Sequence, residues 1–171
     1  MKRTAWFERK FPPIDDNGLL PSIIERLAGT PARVEEMIRH IPVALQTQKR
    51  QGEWSIKEEL GHLSDMEPLW LGRVDDLVNA APELTVADLT NRRTHEANHN
   101  TTDIEVLARH FREERAKLVA RLRSLTGEQL LYTSLHPRLK TPMRVIDLAY
   151  FVAEHDDHHL AAIREKMAVT A

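Results

Sequence analysis

Apolar residues recur along this chain with the three-and-four spacing of amphipathic helices, and nowhere with the sustained alternation of a half-buried strand. Ile23, Ile24, Leu27, Val34, Met37, Ile38 and Ile41 form the apolar side of a first helix, expected from Pro21-Ser22 to about His40 and ended by Pro42. Pro31 falls inside that pattern, so a kink or break is expected near Gly29-Thr30. A polar connection over residues 46–52 leads to Ser55-Ile56-Lys57-Glu58, a capping box in which the Ser side chain caps backbone N–H groups and the Glu reaches back. The second helix then runs to about Ala80 on a stripe that includes Leu60, Leu63, Trp70, Val74 and Leu77, with Pro68 as a point of bending. A long linker over residues 81–101 holds short helical turns at most. A third helix, capped by Thr102 or Asp103, carries Ile104, Leu107, Phe111, Leu118 and Leu122 inward to about Leu125. Residues 126–129 read as a turn of helix and 132–140 as a loop. Thr141-Pro142 reads as the start of a last helix over residues 142–167. Residues 1–20 form an extended arm whose Trp6, Phe7 and Phe11 are placed to dock on the body. Four long helices without strands predict an all-α bundle, one domain over residues 1–171.

Composition agrees, because six glycines among 171 residues and many Ala, Leu, Glu and Arg favour helix over sheet. The formal net charge of -2 removes any bulk attraction to nucleic acid or an anionic membrane, so neither is an expected partner. No segment approaches the ~18 apolar residues of a membrane span, and the N-terminus lacks a signal-peptide core, so a cytoplasmic location is expected. The chain has no cysteine. That excludes disulfides, a thiolate metal ligand and a cysteine nucleophile; thiol chemistry would need a cosubstrate.

Candidate chemistry concentrates in Glu154-His155-Asp156-Asp157-His158-His159, inside the last helix. His155 and His159 are four apart, which puts their Cβ atoms roughly 6 Å apart on one face, a spacing that lets two imidazoles share a metal ion. At about 100° per residue, Val145, Leu148, Val152 and Ile163 define the apolar side. His159 lies within it, His155 at its edge, and Asp156 leans inward. Glu154, Asp157 and His158 fall on the polar side, so a His155–His158 pair would sit at the surface. A third ligand must come from elsewhere, and His62 borders the apolar stripe of the second helix.

Each of these residues also has a purely structural reading. The histidines can be satisfied boundary residues, and Glu58 is most simply the capping-box partner. Arg73, Arg92 and Arg93 read as surface charges, His95 and His99 as loop residues, and His136-Pro137 as loop geometry. Trp54, just before the cap, fits a hydrophobic staple on the first turn.

Two motifs carry a resemblance. Trp54-Ser55-Ile56-Lys57-Glu58-Glu59-Leu60-Gly61-His62-Leu63, followed by Asp65 and Glu67, resembles the start of the second helix in the DinB/YfiT-like superfamily. Ala153-Glu154-His155-Asp156-Asp157-His158-His159-Leu160-Ala161-Ala162-Ile163 resembles its metal-binding final helix, and Phe111, Arg115 and Leu118 fit its third. The resemblance spans about residues 19–168. It implies an up-down-down-up four-helix bundle, often a homodimer, with one divalent metal ion, zinc or nickel, on three histidines. Carried onto this chain, those are His62, His155 and His159, in agreement with the angular reading.

The resemblance further implies a small-molecule substrate and, in some relatives, a low-molecular-weight thiol. Three neutral imidazoles leave a metal its full charge and an open position. Activation of water or thiol there gives hydrolase-like or thiol S-transferase-like chemistry. Asp156 is the candidate catalytic carboxylate beside the ligands; the competing reading makes it a buried partner of Arg115. The rival class is a stress-associated, non-catalytic ligand-binding bundle with a structural or vestigial metal site. A three-histidine set without cysteine favours catalysis over that rival.

Overall fold

The computed structural model describes residues 3–50 and 52–168, so Lys2 of the arm lies outside the described residues. Helices α1 (Leu20–Ile38), α2 (Ile56–Val78), α4 (Ile104–Arg123) and α5 (Val145–Ala168) form the bundle, and a short α3 (Arg92–Glu96) lies in the long connection between α2 and α4. Side-chain pairs give the directions. Glu25 meets Arg123 and Glu35 meets Arg112, so α1 and α4 are antiparallel. Glu67 meets Arg115 and Asp75 meets Arg121, so α2 and α4 are parallel. Glu59 meets His159 while Trp70 meets Phe151, so α2 opposes α5. The order is therefore up-down-down-up. The parallel pair explains the long linker, because the chain must travel back along the bundle before α4 can begin.

The expected signals hold at two helix starts. Ser55 Oγ accepts from Glu58 N at 3.2 Å while Glu58 Oε2 accepts from Ser55 N at 2.9 Å, completing the capping box. Asp103 caps α4 by accepting from Glu105 N at 2.8 Å. Thr141-Pro142 does not start a helix. Pro142 and Met143 form strand β2, paired antiparallel with β1 (Ser134–Leu135), a small ribbon the apolar pattern did not predict. A two-residue strand is too short to show alternation, and Pro tolerates a strand edge as well as a first helical turn. Asp147 anchors the true start of α5 by accepting from Arg144 N at 2.9 Å, and it also ties down the arm by accepting from Ile14 N at 2.8 Å.

No break occurs at Pro31, since α1 runs unbroken through it. Proline has no N–H for the carbonyl four residues back, that of Leu27. Arg115 Nη1 supplies the missing donor at 3.3 Å. The helix therefore keeps its course because a side chain from α4 satisfies the freed carbonyl.

The apolar core divides into two clusters, one built around Leu27, Trp70, Leu118 and Phe151, the other around Val34, Leu60, Phe111 and Leu160. The long helices also bring four buried polar residues together, Thr30, Glu67, Arg115 and Asp156. Arg115 binds Glu67 (Nη2 to Oε1, 2.6 Å) and Asp156 (Nη2 to Oδ1, 2.9 Å), and Thr30 Oγ1 donates to Asp156 at 2.9 Å. Burial pushes the Glu67 carboxyl up to about 7, against the pull of Arg115 and with the help of Asp156. One guanidinium does not neutralise two carboxylates in an apolar interior. Among the described residues no helix is long and apolar enough to cross a membrane.

Candidate metal centre

The antiparallel register of α2 and α5 brings His62 opposite the His155–His159 pair. All three rings are buried, at 4%, 4% and 8% exposure. His155 Nε2 lies 3.3 Å from His62 Nε2 and 3.2 Å from His159 Nε2. One nitrogen from each ring thus falls within 4.8 Å of the others, an arrangement that can hold a metal ion.

The far side of two rings fixes which nitrogen carries the proton. Thr94 Oγ1 donates to Asp65 Oδ2 at 2.8 Å and has no second hydrogen, so it accepts from His62 Nδ1 at 3.0 Å. Glu59 Oε2 likewise accepts from His159 Nδ1 at 2.6 Å. Burial would raise the Glu59 carboxyl, but His159 and Lys166 hold it down at about 2, so it stays an acceptor. With Nδ1–H given to Thr94 and to Glu59, each of these two rings turns its Nε2 toward the common centre. Burial, reinforced by His159, depresses His62 to about 3. Burial and its two neighbours hold His155 well below the ordinary histidine range. His155 Nδ1 is buried and has no partner among the described residues. His155 Nε2 can give a proton to only one of the two ring nitrogens it faces at 3.2–3.3 Å, whereas a cation at their centre would be met by all three rings.

The cluster forms part of the wall of a cavity of about 310 Å³, the size of a small-molecule site. Trp54 packs on His62 with ring centroids 4.6 Å apart and stacks on His159 at 6.0 Å. It therefore roofs the imidazoles as well as preceding the cap. The arm closes another side: Trp6 meets His155 at 5.2 Å and Phe151 at 5.0 Å, and Phe11 packs on Phe151 at 4.7 Å. Phe7 stays 62% exposed at the cavity mouth.

The other residues singled out in the sequence take the following places. Asp156 is fully buried, with both oxygens held by Arg115 and one also by Thr30. Arg115 was the partner named in its structural reading. His158 does not face open solvent; it is half-buried, lines the cavity, receives Arg3 and packs on Trp6 at 5.5 Å. His99 is buried, pairs with Asp65 at 2.8 Å, and lies over Gly61 so closely that a Cβ there would come within 2.3 Å of the ring. His95 stays exposed, with its ring 5.9 Å from Trp54. Arg73 is not a surface charge: it is 2% exposed and donates from Nε to Thr85 O at 2.9 Å. His136 is buried in the cavity wall. Sequence reasoning placed Glu59 and Asp65 in the second-helix motif without a role, and passed over Thr94. The acids stand three residues either side of His62 on the same helix, a visible signal; Thr94 gave none, because nothing local ties the linker to α2.

The sequence profile of the DinB superfamily matches residues 26–163. Among solved structures, the fold is similar to a chain described as "YfiT from Bacillus subtilis is a probable metal-dependent hydrolase with an unusual four-helix bundle topology". The TM-score is 0.80 at 21% sequence identity, over 95% of this chain and 93% of that one. No curated protein matches the chain.

Proposed function

The chain belongs to the DinB superfamily, and from that premise we propose that it is a metal-dependent enzyme acting on a small molecule. In this reading His62, His155 and His159 hold one divalent ion, zinc or nickel, with an open position toward the cavity. The carrying observation is the convergence of three buried Nε2 atoms, two of them with tautomers set by Thr94 and Glu59. A divalent ion held there supplies Lewis acidity and a nucleophile active near neutral pH.

The chain's own residues do the rest. Thr94 with Asp65, and Glu59 with Lys166, orient two of the imidazoles and strengthen them as donors. Trp54, Trp6 and Trp70 exclude bulk water from the imidazole face and give an apolar substrate a surface to lie on. Hydrolysis is the primary chemistry, supported by what is said of the YfiT structure. A cavity that extends from the imidazoles to Val86 and Arg138 leaves room for a second reactant, which favours transfer of a low-molecular-weight thiol as the second chemistry. A homodimer is what the superfamily resemblance implies.

The test is metal content and activity together. Protein purified without a histidine tag should carry about one divalent ion per chain. It should then turn over either a hydrolase panel or a panel of electrophiles offered with several thiols. A chain that stays metal-free on titration with zinc and nickel overturns the proposal.

A further inference from the structure

Away from the imidazoles, the cavity wall carries three cationic or N–H-bearing side chains, Arg73, His136 and Arg138, none of which is paired with a carboxylate among the described residues. Neither arginine forms an ion pair among the described residues. Asp76, the carboxylate that most influences Arg73, is occupied in accepting from Thr85 N at 2.7 Å. Asp88, the carboxylate on the cavity wall, is exposed and turned to Thr90 and Arg92, accepting from Thr90 N at 2.9 Å and Arg92 N at 3.1 Å. Arg138 Nη2 is buried without a partner. Its guanidinium lies over the Phe7 ring at 5.2 Å and near Phe151 at 6.0 Å, so its position is set by aromatic faces rather than by an acid.

His136 adds the third donor. Its Nδ1 accepts from both Arg138 N and Leu139 N, each at 3.2 Å, which puts the ring proton on Nε2. That Nε2 faces Arg73 Nη1 at 3.3 Å. Two donors therefore point at one another with no acceptor between them. Buried charges and N–H groups without acceptors cost stability unless a ligand supplies the oxygen. Trp70 links this corner to the imidazoles, since its ring lies 5.3 Å from His155 and 5.5 Å from the Arg73 guanidinium. One indole's width separates the two ends of the site.

We infer that Arg73, His136 and Arg138 form an anion-binding subsite that takes the carboxylate of a small organic acid, with the acid's reactive end lying across Trp70 at the imidazole cluster. The location of the reactive end rests on the metal-dependent reading above; the anion subsite does not. The planar guanidinium fork matches a carboxylate in shape, and the aromatic walls accept the apolar body of such a molecule.

The test uses the full chain stripped of metal by chelation, so that no ion can bind the carboxylate. Calorimetric titration with phenylacetate and with its neutral amide, phenylacetamide, compares two ligands of nearly the same shape. Phenylacetate should bind at least about tenfold more tightly, as a charge-assisted contact of this kind predicts. Arg138→Gln should bring the two affinities within about threefold of each other while circular dichroism and the thermal midpoint stay at wild-type values. Arg73→Met is the less informative variant, because Arg73 also holds the Thr85 carbonyl. The wild-type comparison stands alone if either variant fails to fold. Equal affinities, no binding of phenylacetate, or a preference that survives Arg138→Gln overturns the subsite. A preference retained in a protein that binds no metal under any condition leaves the subsite standing and removes the metal reading instead.

Discussion

Thr94, on the short helix of the linker, accepts a hydrogen bond from His62 Nδ1 at 3.0 Å while donating its own proton to Asp65. The linker thereby decides which His62 nitrogen is free to bind. Thr94→Val keeps the shape and removes that acceptor. It should weaken zinc or nickel binding by about 10- to 100-fold, read by competition with a chelator, with helix content unchanged. Wild-type affinity in the variant would show that the linker does not set the tautomer.

The four histidines at or beside the imidazole cluster should separate cleanly. His62→Ala, His155→Ala and His159→Ala should each drop metal content from about one ion per chain to near zero by elemental analysis. His158→Ala should retain it, because His158 is engaged with Arg3 and Trp6 rather than with the convergent nitrogens. Metal loss on His158→Ala alone would reassign the ligand set.

Glu67 makes stability depend on pH. Its folded value near 7 lies above the ordinary 4.5, so the folded chain holds a proton that the unfolded chain releases. Stability from this group is present below about 4.5 and declines as pH rises toward 7, by on the order of 3 kcal/mol. Glu67→Gln, which cannot ionise, should flatten that part of a urea-denaturation profile. Superimposable wild-type and variant profiles would contradict the assignment. Glu59 works in the opposite sense, contributing stability above 4.5 that is lost as pH falls toward 2.

Arg115→Met should cost about 3–5 kcal/mol in urea unfolding, since it strands two buried carboxylates and the Leu27 carbonyl together. Part of that cost belongs to Pro31. In a Pro31→Ala background the helix can bond its own carbonyl, so the same Arg115 substitution should cost about 1 kcal/mol less. Strict additivity of the two changes would refute the link between them.

Gly61→Ala places a methyl group against the His99 ring. The expected loss is about 1–3 kcal/mol, with the His99–Asp65 contact broken and an altered His99 ring signal by NMR. An unchanged thermal midpoint would mean that the linker moves aside freely.

Helical periodicity made the four long helices legible to within a few residues, and the turn of His155 and His159 toward the interior followed from spacing on one helix. What escaped it is non-local. The wheel put His158 on a solvent face because it assumes water wherever apolar residues are absent; in the fold the arm lays Trp6 and Arg3 over that face. Arg73 read as a surface charge for the same reason, yet Thr85 of the linker and His136, just past β1, meet it in the buried interior. The break expected at Pro31 reflected a rule about one helix in isolation. Arg115, on another helix, answers the unpaired carbonyl, and no local pattern encodes that.

The placement of the aromatic residues around the imidazoles has a practical consequence. The chain has three tryptophans. Trp6 and Trp70 pack against His155, and Trp54 packs against His62. The tryptophan fluorescence of the protein, excited at a wavelength that tyrosine does not absorb, therefore originates beside this one cluster. An open-shell ion such as nickel should quench it, whereas closed-shell zinc should mainly shift its intensity or wavelength. The unlabelled protein thus carries its own optical reporter, with which candidate ions can be ranked in a single titration.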